Sequence, residues 1–515
     1  MNKNTMISAA AAALALCATG AFADEWQIVG PRALGMGGAY TAVAVGPAAQ
    51  YWNPAGLSQG VNKSGLDISA TGRVELTGNA MEVASKLSKM QDQYKAIQRA
   101  QQSGGKVDAN TFSAMIDSLN QMNQLNQNAS GAVASANGGA SLKIKNFVIG
   151  LSNYTQIGAT PFVDLTNIGL GAYTGGSGVT LNTGTPNSSY QPYANSIATS
   201  LSTAFGGNPT AMYNLICGAS TCSGMSTFQQ LANGLVKQSQ DAGASVQQVS
   251  AYADTIAANA AAAAPIINSA TSGNAYTNNQ TRLNMEGGSF TELGVSYARS
   301  VFTDNLHVGL TGKIIQGKIG YYKVSALSDN ASSIDALKDY NKYSKTSVQP
   351  GLDLGVLYQL PTASRPRFGL VVRNINSPSF DRTDQAKADG KSDKYKLDGQ
   401  ARAGFAINPM NWWTLAADLD LSRNATSVSG YSSRQFALGT EINLVNHKLF
   451  NIPLRVGIMK NVDKGSDVAY TAGTGINMLT FHVELAGMIS SKRSQFDGKD
   501  FPTEAGASAS VGFLF

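Results

Sequence analysis

One pattern constrains the fold of this chain more than any other: through most of its second half, apolar residues occupy every second position. In residues 413–421 large apolar side chains alternate with polar or small ones, and in residues 481–485 they alternate with His482 and Glu484. A period of two is typical of a β-strand with one apolar and one polar face. The pattern recurs in residues 292–297, 306–314, 352–358, 435–442, 454–458 and 506–515. The sequence therefore predicts an all-β protein.

The N-terminus predicts export. Lys3 precedes an apolar run over residues 7–18, and the Ala-Phe-Ala at residues 21–23 fits the cleavage site of a secretory signal peptide. We expect residues 1–23 to be removed after Ala23, so that the mature chain begins at Asp24. Beyond this point no uninterrupted apolar run reaches the ~18 residues that a membrane-spanning helix needs. An exported chain of this kind favours a membrane barrel, with the ionic residues of its strands in the lumen, over a soluble sandwich.

The connections between the predicted strands alternate between short turns and long loops. Short connections are predicted at residues 145–146, 302–305, 360–365, 408–411, 445–451 and 477–478, and long ones at 78–137, 160–284, 325–345, 377–394, 424–430, 461–466 and 491–502. This alternation is typical of bacterial outer-membrane barrels, which have an even number of strands, short periplasmic turns and longer outer loops. We therefore expect an antiparallel transmembrane β-barrel of about 14 strands over residues 63–515. The terminal Phe515 resembles the assembly signal of such barrels, which makes the barrel assembly machinery an expected partner.

The two longest loops, residues 79–137 and 160–284, are expected to be helical extracellular insertions. Apolar residues at helical spacing in 81–97 and 112–122, separated by Gly104-Gly105, predict a helical hairpin. In the second loop a Gly/Asn/Ser/Thr-rich coil is expected before a helix over about 226–264, which Pro265 would end. Cys217 and Cys222 lie in that coil, and a local disulfide is expected in an oxidising compartment. The insertions would form either a self-packed cap or a docking surface.

The stretch before the first strand, residues 24–62, has a different composition. Residues 30–57 are rich in Gly, Ala and Pro, with turn clusters at 35–38 and 53–56. This composition disfavours helices and long strands and suits a compact plug whose backbone approaches other backbone closely. A moving gate and a turn that merely holds the plug both remain open. The residues expected to matter are Gly35, Gly37, Gly38, Trp52, Asn53, Pro54, Ala55 and Gly56.

Two runs in this stretch, RALGMGGAY at residues 32–40 and YWNPAGL at 51–57, carry a family resemblance. They resemble the N-terminal signature of the FadL-like outer-membrane barrel superfamily, most closely its branch of TraF-type conjugal transfer proteins and PorV-like barrels. The resemblance implies an N-terminal hatch inside a barrel that passes hydrophobic molecules, fatty-acid-like or aromatic. Through the TraF-type branch it also implies an alternative role, as a docking or assembly component of conjugation or secretion machinery.

Ionic and histidine side chains on the polar faces of the strands form a second candidate site. A charge in a narrow lumen must pair or meet water. Because the signs are mixed, the pattern indicates salt-bridged anchoring of the hatch rather than an ion filter, which would favour one sign. The residues are Glu292, His307, Lys313, Asp353, Arg373, Arg402, Asp418, Asp420, Glu441, Arg455, His482 and Glu484.

No catalytic site is predicted. The string at residues 56–60 matches the G-x-S-x-G pattern around Ser58, but it follows an Asn-Pro turn rather than a strand. The three histidines, His307, His447 and His482, form no metal-binding motif, so neither a metal nor a cofactor is expected. The net charge of +6 comes without basic runs and gives no indication of nucleic-acid binding. The expected partners are outer-membrane lipid and a hydrophobic ligand.

Overall fold

Fourteen strands close into a single antiparallel barrel. The computed structural model describes residues 23–59, 64–78, 106–126, 129–167, 181–217, 225–270, 280–325, 342–447, 450–463, 467–478, 480–496 and 499–514. Each barrel strand pairs with the next along the chain, and the last pairs with the first. The strands are β1 (Gly65–Thr77), β2 (Gly131–Ile144), β3 (Phe147–Phe162), β4 (Arg282–Val301), β5 (Thr303–Ser325), β6 (Ser344–Gln359), β7 (Arg367–Arg373), β8 (Gln400–Met410), β9 (Trp413–Asp420), β10 (Gln435–His447), β11 (Phe450–Asn461), β12 (Ala469–Met478), β13 (Phe481–Ser490) and β14 (Glu504–Leu514). The predicted fold class and strand number are confirmed.

The alternation seen in the sequence separates the two faces of the wall. In β13, Val483 and Leu485 are 38% and 57% exposed on the outside, whereas Glu484 between them is 8% exposed on the inside. The outward apolar side chains form the band that lipid contacts in an outer-membrane barrel. None of the helices in the described residues is long and apolar enough to cross a membrane.

The two ends of the barrel differ in their connections. At one end the links are short, such as Lys145-Asn146 between β2 and β3 and Phe302 between β4 and β5. At the other end, the long-loop end, β4 and β5 extend the wall with 20 and 23 residues. By the usual orientation of such barrels, the short-turn end faces the periplasm and the long-loop end faces outward.

The N-terminal segment, residues 25–59, lies inside the barrel. It contains the short helices α1 (Pro31–Gly35) and α2 (Ala49–Trp52), followed by the 3-10 helix Pro54–Ser58. Before it, Ala23–Asp24 pairs in parallel with Asn424–Ala425 in the loop between β9 and β10, at the long-loop end. The segment therefore runs along the lumen from the long-loop end to the start of β1.

A helical cap stands on the long-loop end. It comprises α3 (Ala109–Leu125), α4 (Gln191–Ala204), α5 (Thr210–Cys217), α6 (Phe228–Asp241) and α7 (Val246–Ala270). These helices bury one apolar core of their own, distinct from the core inside the barrel. The second half of the predicted hairpin, residues 112–122, is helical as expected.

The second insertion departs from the prediction. Helices α4 and α5 occupy the region expected to be coil, and the single helix expected over 226–264 is two helices, α6 and α7. Pro265 does not end a helix, because α7 continues through it to Ala270. Proline costs a helical hydrogen bond, and burial of Ala264, Ile266 and Ile267 in the cap core offsets that cost. The wall also extends further than expected, since β2 begins at Gly131 and β3 ends at Phe162.

Two shorter loops fold back over the lumen. The β7–β8 loop contains the paired strands Ser379–Asp381 and Lys394–Lys396 and the helix α8 (Asp384–Ala388), and the β9–β10 loop contains Asn424–Ala425 and Ser432–Ser433. The loop between β13 and β14 contains a separate hairpin of two strands, Arg493–Phe496 and Lys499–Pro502.

Several predictions fall outside the described residues. These are residues 1–22 of the signal peptide, the first half of the hairpin at 81–97 with Gly104-Gly105, Cys222 and Phe515. The disulfide and the assembly signal therefore stay predictions.

Candidate functional site

The N-terminal segment fills the barrel lumen with aromatic side chains. Trp26 and Trp52 are fully buried, and Tyr40 and Tyr51 are nearly so. Their rings stack edge to face, with centroids 5.5 Å apart for Tyr51 and Trp52 and 5.7 Å apart for Tyr40 and Trp52. The indole Nε1 of Trp52 donates a hydrogen bond to the carbonyl of Val29 at 2.9 Å. The segment is thus a packed body with its own core rather than a loose strand.

Glycines on the inner wall let the segment's backbone approach the barrel. A β-carbon on Gly309 would lie 2.2 Å from the carbonyl carbon of Pro54, and one on Gly457 would lie 2.5 Å from the amide nitrogen of Gly37. Real β-carbons essentially never come this close, so only glycine fits. At six other wall glycines an added β-carbon would also lie within 3.1 Å of a backbone or side-chain atom of the segment. These are Gly150, Gly355, Gly369, Gly404, Gly439 and Gly473. The sequence showed these glycines at alternating positions, but not that they surround the plug.

Asn53 joins the segment to itself and to the wall. Its side-chain amide donates to the carbonyls of Thr41 and Val356, both at 3.1 Å, and its Oδ1 accepts from the amide of Ala55 at 3.1 Å. Because Val356 belongs to β6, this one buried amide ties the Asn-Pro turn to the barrel.

The remaining predicted hatch residues are also buried. Gly37 and Gly38 have φ of 69° and 90°, a conformation that favours glycine. A β-carbon on Gly56 would lie 2.0 Å from the carbonyl oxygen of Ala44, and one on Gly35 would lie 3.1 Å from the Cβ of Arg455. The glycines therefore permit close contacts both within the segment and with the wall.

An arginine of the segment enters a buried ion network. Arg32 donates to both carboxylate oxygens of Glu441 at 2.8 Å. Glu441 also accepts from Arg455 at 2.6 Å, and Arg455 reaches Glu484 at 2.8 Å. Bidentate arginine–carboxylate pairs fix geometry as well as charge, so this network anchors α1 to β10, β11 and β13. Sequence reasoning named the three wall residues but missed Arg32.

A second network holds the turn after α1. Asp418 accepts hydrogen bonds from the amides of Tyr40 and Thr41 at 3.0 and 2.8 Å, and from the Thr41 hydroxyl at 2.6 Å. Beside it, Arg402 pairs with Asp420 at 2.6 Å and lies over the Trp26 ring, 4.7 Å from its centroid. Asp418 therefore accepts hydrogen bonds from buried backbone amides that would otherwise be unsatisfied, while Arg402 contacts the aromatic core.

A third network lies across β4 to β7. Glu292 pairs with Lys313 and Arg373, each at 3.2 Å, and Lys313 reaches Asp353 at 3.0 Å. The guanidinium of Arg373 stacks on Tyr51, 3.9 Å from the ring centroid. The wall charges thus meet the segment through a cation–π contact here rather than through an ion pair.

A fourth network was not predicted. Arg73 of β1 pairs with Glu25 at 2.6 Å, with Glu75 at 2.6 Å and with Glu504 at 2.5 Å. Glu75 also accepts a hydrogen bond from Tyr431 in the β9–β10 loop, where burial raises the pKa of the tyrosine hydroxyl and the nearby Glu75 carboxylate raises it further. Arg73 and Glu75 alternate with apolar Val74, so the inward face of β1 was readable from the sequence.

The two lumen histidines lie toward the short-turn end. His307 Nδ1 is 2.8 Å from the hydroxyl of Ser58, which also donates to the carbonyl of Ala55 at 3.1 Å. His482 Nε2 is 2.9 Å from Asp67. Ser58 therefore links the end of the segment to β5. In the described residues no group of three or more His, Cys, Asp or Glu side chains is placed to hold a metal ion.

An apolar cluster covers the segment from the long-loop end. Phe380 and Tyr395, from the β7–β8 loop, lie with ring centroids 5.3 and 5.9 Å from that of Phe290 on β4. The loop is held by Glu286, which pairs with Arg382 and, at 2.7 Å, with Lys391. Sequence reasoning missed this cover, because its aromatic residues are separated by polar sequence.

Comparison with known proteins places the chain in a family. Its sequence matches the family described as "F plasmid transfer operon, TraF, protein" over residues 50–420. No curated protein matches it in sequence.

Three solved structures illustrate the structural likenesses. The chain is similar to the Pseudomonas putida toluene transporter TodX, at 10% identity, covering 96% of this chain and 98% of that chain with a TM-score of 0.39. It is similar to a Pseudomonas aeruginosa FadL homologue, at 8% identity, covering 96% and 99% with a TM-score of 0.39. It is also similar to the Ralstonia pickettii toluene transporter TbuX, at 11% identity, covering 94% and 97% with a TM-score of 0.38. Because the family match spans more than half of the chain, the protein belongs to the TraF family of that description, as the resemblance in its N-terminal runs predicted.

Proposed function

We propose that this outer-membrane barrel is a passive channel for small apolar, aromatic molecules, and that the N-terminal segment is its hatch. The observation that carries the proposal is a column of aromatic side chains along the lumen. The column begins at the cover, continues through the wall and ends in the core of the segment; its members are Phe380, Tyr395, Phe290, Tyr154, Tyr51, Trp26, Trp52 and Tyr40.

The column supports an apolar solute because each member lies beside the next. Phe290 and Tyr154 are register partners on β4 and β3, and Tyr154 stacks on Tyr51 with centroids 5.2 Å apart. An aromatic solute can exchange stacking contacts from ring to ring, each worth ~0.5–1.5 kcal/mol. Since the rings are packed, passage requires the segment to move, and the buried ion pairs set the cost of that movement.

A disulfide lock tests the proposal. The β-carbon of a residue at Gly38 would lie 3.8 Å from the Cβ of Ala437, which is the usual separation in a disulfide. The double variant Gly38→Cys with Ala437→Cys can therefore be locked by oxidation and released by reduction. Uptake of the uncharged dye N-phenyl-1-naphthylamine by intact cells should fall to background when locked and recover when reduced.

The reduced double variant is the control for the strain of a cysteine at the positive φ of residue 38. Wild-type protein given the same reductant controls for the predicted disulfide between Cys217 and Cys222. Equal dye uptake in the locked and released states would rule out passage past the segment.

We also propose, as the second candidate, that the cap docks a component of conjugation or secretion machinery. Two features support it: the family description names a plasmid transfer operon, and the cap has a core separate from the barrel. The cap's two insertions are tied together, since the Asn126 side chain exchanges two hydrogen bonds, both 2.7 Å, with the backbone of Val163. The cap is therefore one surface rather than two loose loops.

Removing the cap tests this role. Thr77 pairs with Gly131, and the amide of Gln280 donates to Asp164 at 3.0 Å, so short Gly-Ser linkers can replace residues 79–128 and 167–279. The barrel should keep its heat-modifiable migration and its dye uptake but lose co-purification with transfer or secretion proteins. Unchanged co-purification would exclude the cap as the docking surface.

A further inference from the structure

We call the loop between β7 and β8, residues 374–399, the cover loop, because its aromatic side chains lie over the lumen at the long-loop end. Phe380 of this loop is fully buried, with its ring centroid 5.3 Å from that of Phe290 on β4. A β-carbon on Gly317 of β5 would lie 2.4 Å from the Phe380 ring, so only glycine leaves room for the ring there. The cover loop is therefore seated in the wall at a defined position.

Ion pairs fasten the cover loop to the wall at the long-loop ends of β4 and β5. Glu286 of β4 pairs with Arg382 and, at 2.7 Å, with Lys391. Lys323 of β5 pairs with Asp389 at 2.6 Å. These side chains are all partly exposed, so water can take the place of a lost partner. Removal of the Glu286 carboxylate, which two of the pairs share, should therefore loosen the cover loop without leaving a charge cut off from water.

The cover loop begins directly beside a residue that contacts the N-terminal segment. Arg373 is the last residue of β7, and its guanidinium lies 3.9 Å from the ring centroid of Tyr51. Asn374, the next residue, is buried with a φ of 53°, and Ser377 has a φ of 48°. Non-glycine residues rarely adopt such angles and keep them only where surrounding contacts hold them. The start of the cover loop should therefore relax when its contacts are lost.

One buried carboxylate connects the cover loop to Arg373. Oδ1 of Asp353, on β6, accepts a hydrogen bond from the amide of Asn374 at 2.8 Å. Its Oδ2 lies 3.0 Å from Nζ of Lys313 and 3.8 Å from Nε of Arg373. A distance of 3.8 Å is too long for a hydrogen bond, and Nε of Arg373 has no hydrogen-bond partner among the residues that the structure describes. A buried carboxylate that loses a donor needs another, and this unused Nε is within reach.

We propose that the cover loop controls the release of the N-terminal segment through Asp353. When the loop lifts, Asp353 loses the amide of Asn374 and takes a hydrogen bond from Nε of Arg373 instead. A movement of about 1 Å brings this nitrogen within hydrogen-bond distance, and the movement displaces the guanidinium from its position over Tyr51. The inference rests on the proposed function, because it concerns the opening of the same hatch. The cover loop and the hatch then open in sequence rather than independently.

Hydrogen exchange of the full-length protein in lipid vesicles, measured by mass spectrometry, tests the proposal. Glu286→Ala should speed exchange in the cover loop, at residues 379–397, and in the N-terminal segment, at residues 49–57. We expect a rise of up to about 30-fold in the segment, which corresponds to ~2 kcal/mol for a desolvated cation–π contact at about 1.4 kcal/mol per factor of ten. Lys394→Ala is the matched control, because it breaks an ion pair with Asp381 inside the same loop and should leave the segment unchanged.

The variant Asp353→Asn separates the two openings. It keeps an oxygen for the amide of Asn374 but lacks the charge that attracts Arg373. Glu286→Ala in this background should therefore loosen the cover loop alone. Unchanged exchange of the segment in Glu286→Ala, or an equal rise with and without Asp353→Asn, would overturn the proposal.

A reciprocal measurement needs neither of these variants, because coupling between two equilibria acts equally in both directions. Tyr51→Ala removes the ring that Arg373 must leave, so the cover loop should exchange up to about 30-fold faster. Tyr40→Ala is the control, because its ring lies beside Trp52 and under Arg32 instead. Unchanged exchange of the cover loop in Tyr51→Ala, or an equal rise in the two variants, would contradict the coupling.

These measurements are made without a solute, so their outcome is independent of the disulfide-lock test of passage. Dye uptake that ignores the lock would refute passage but not the coupling. Exchange of the segment that ignores the cover loop would refute the coupling but not passage.

Discussion

Replacing Gly309 by alanine tests whether the N-terminal segment is held by direct contact with the wall. The added β-carbon would lie 2.2 Å from the carbonyl carbon of Pro54 and 2.3 Å from the amide nitrogen of Ala55. Both are backbone atoms, so no side-chain rotation can relieve the overlap. Since ordinary contacts begin at about 3.4 Å, the Asn-Pro turn must retreat by about 1 Å or the wall must bend.

The cost follows from the rigidity of both partners. Overpacking a well-filled interior typically costs ~1–3 kcal/mol, and a retreat of this size also stretches the bond from Asn53 to the carbonyl of Val356. At about 1.4 kcal/mol per factor of ten, the population of the unseated segment should rise about 5- to 150-fold. The barrel itself should be unaffected, because the wall ladder of β5 gains a methyl group without losing a hydrogen bond.

Hydrogen exchange measured by mass spectrometry gives the population directly. Amides of residues 49–57 should exchange faster by the same factor, provided that opening is fast relative to exchange. Gly312→Ala is the control, because it lies on the same strand with nothing within 4 Å of the added β-carbon. Equal protection of residues 49–57 in the two variants would refute the close-contact explanation.

Three further outcomes are expected. Glu441→Ala removes the carboxylate that the buried Arg455 shares with the half-buried Arg32 and should destabilise the seated segment by ~3–5 kcal/mol in the same exchange assay. Asp384→Ala, at an exposed side chain, should change nothing. Leu485→Arg places a charge on the lipid-facing surface. In urea titration of the barrel folded in lipid vesicles, it should lower the free energy of unfolding by up to ~2–4 kcal/mol. An unchanged midpoint of unfolding would mean that the outer face of β13 at Leu485 does not contact the bilayer. Hydrogen bonds hold the pKa of Asp164 below its usual value despite the raising effect of burial. The stabilisation that ionised Asp164 gives the neck of the second insertion is therefore complete above pH ~4 and is lost as the pH falls through the folded-state pKa of this carboxyl group. Proteolysis at the neck should therefore increase in acid. In the Asp164→Asn variant, the rate of proteolysis at the neck should no longer depend on pH in this way.

The wall of the barrel was readable from the sequence because lipid and lumen impose different chemistry on alternate residues. Val483, Glu484 and Leu485 already show that division, and the turns and loops between such runs gave the number of strands. Short-range information was enough here, since each strand pairs with its neighbour in the chain.

Contacts between distant parts of the chain were not readable in this way. Arg73 pairs with Glu504, 431 residues away, and nothing local specifies that partner. The cap was misjudged for a different reason. Its polar composition suggested coil, yet Ala194, Ile197, Ala198 and Leu201 recur at helical spacing and are buried in α4. The helical spacing of these apolar residues therefore predicts α4 better than the overall composition of the loop does.

The covalent attachment of the N-terminal segment has a consequence for how the segment would go back into the lumen after the proposed opening. Its C-terminal end is joined to β1 at Gly65 by the five residues that follow Gln59, a link that spans at most about 20 Å when extended. A released segment therefore stays near the periplasmic mouth, at an effective local concentration in the millimolar range. In the proposed hatch mechanism, reclosure would therefore be a unimolecular event whose rate does not depend on protein abundance, and each opening would be self-limiting.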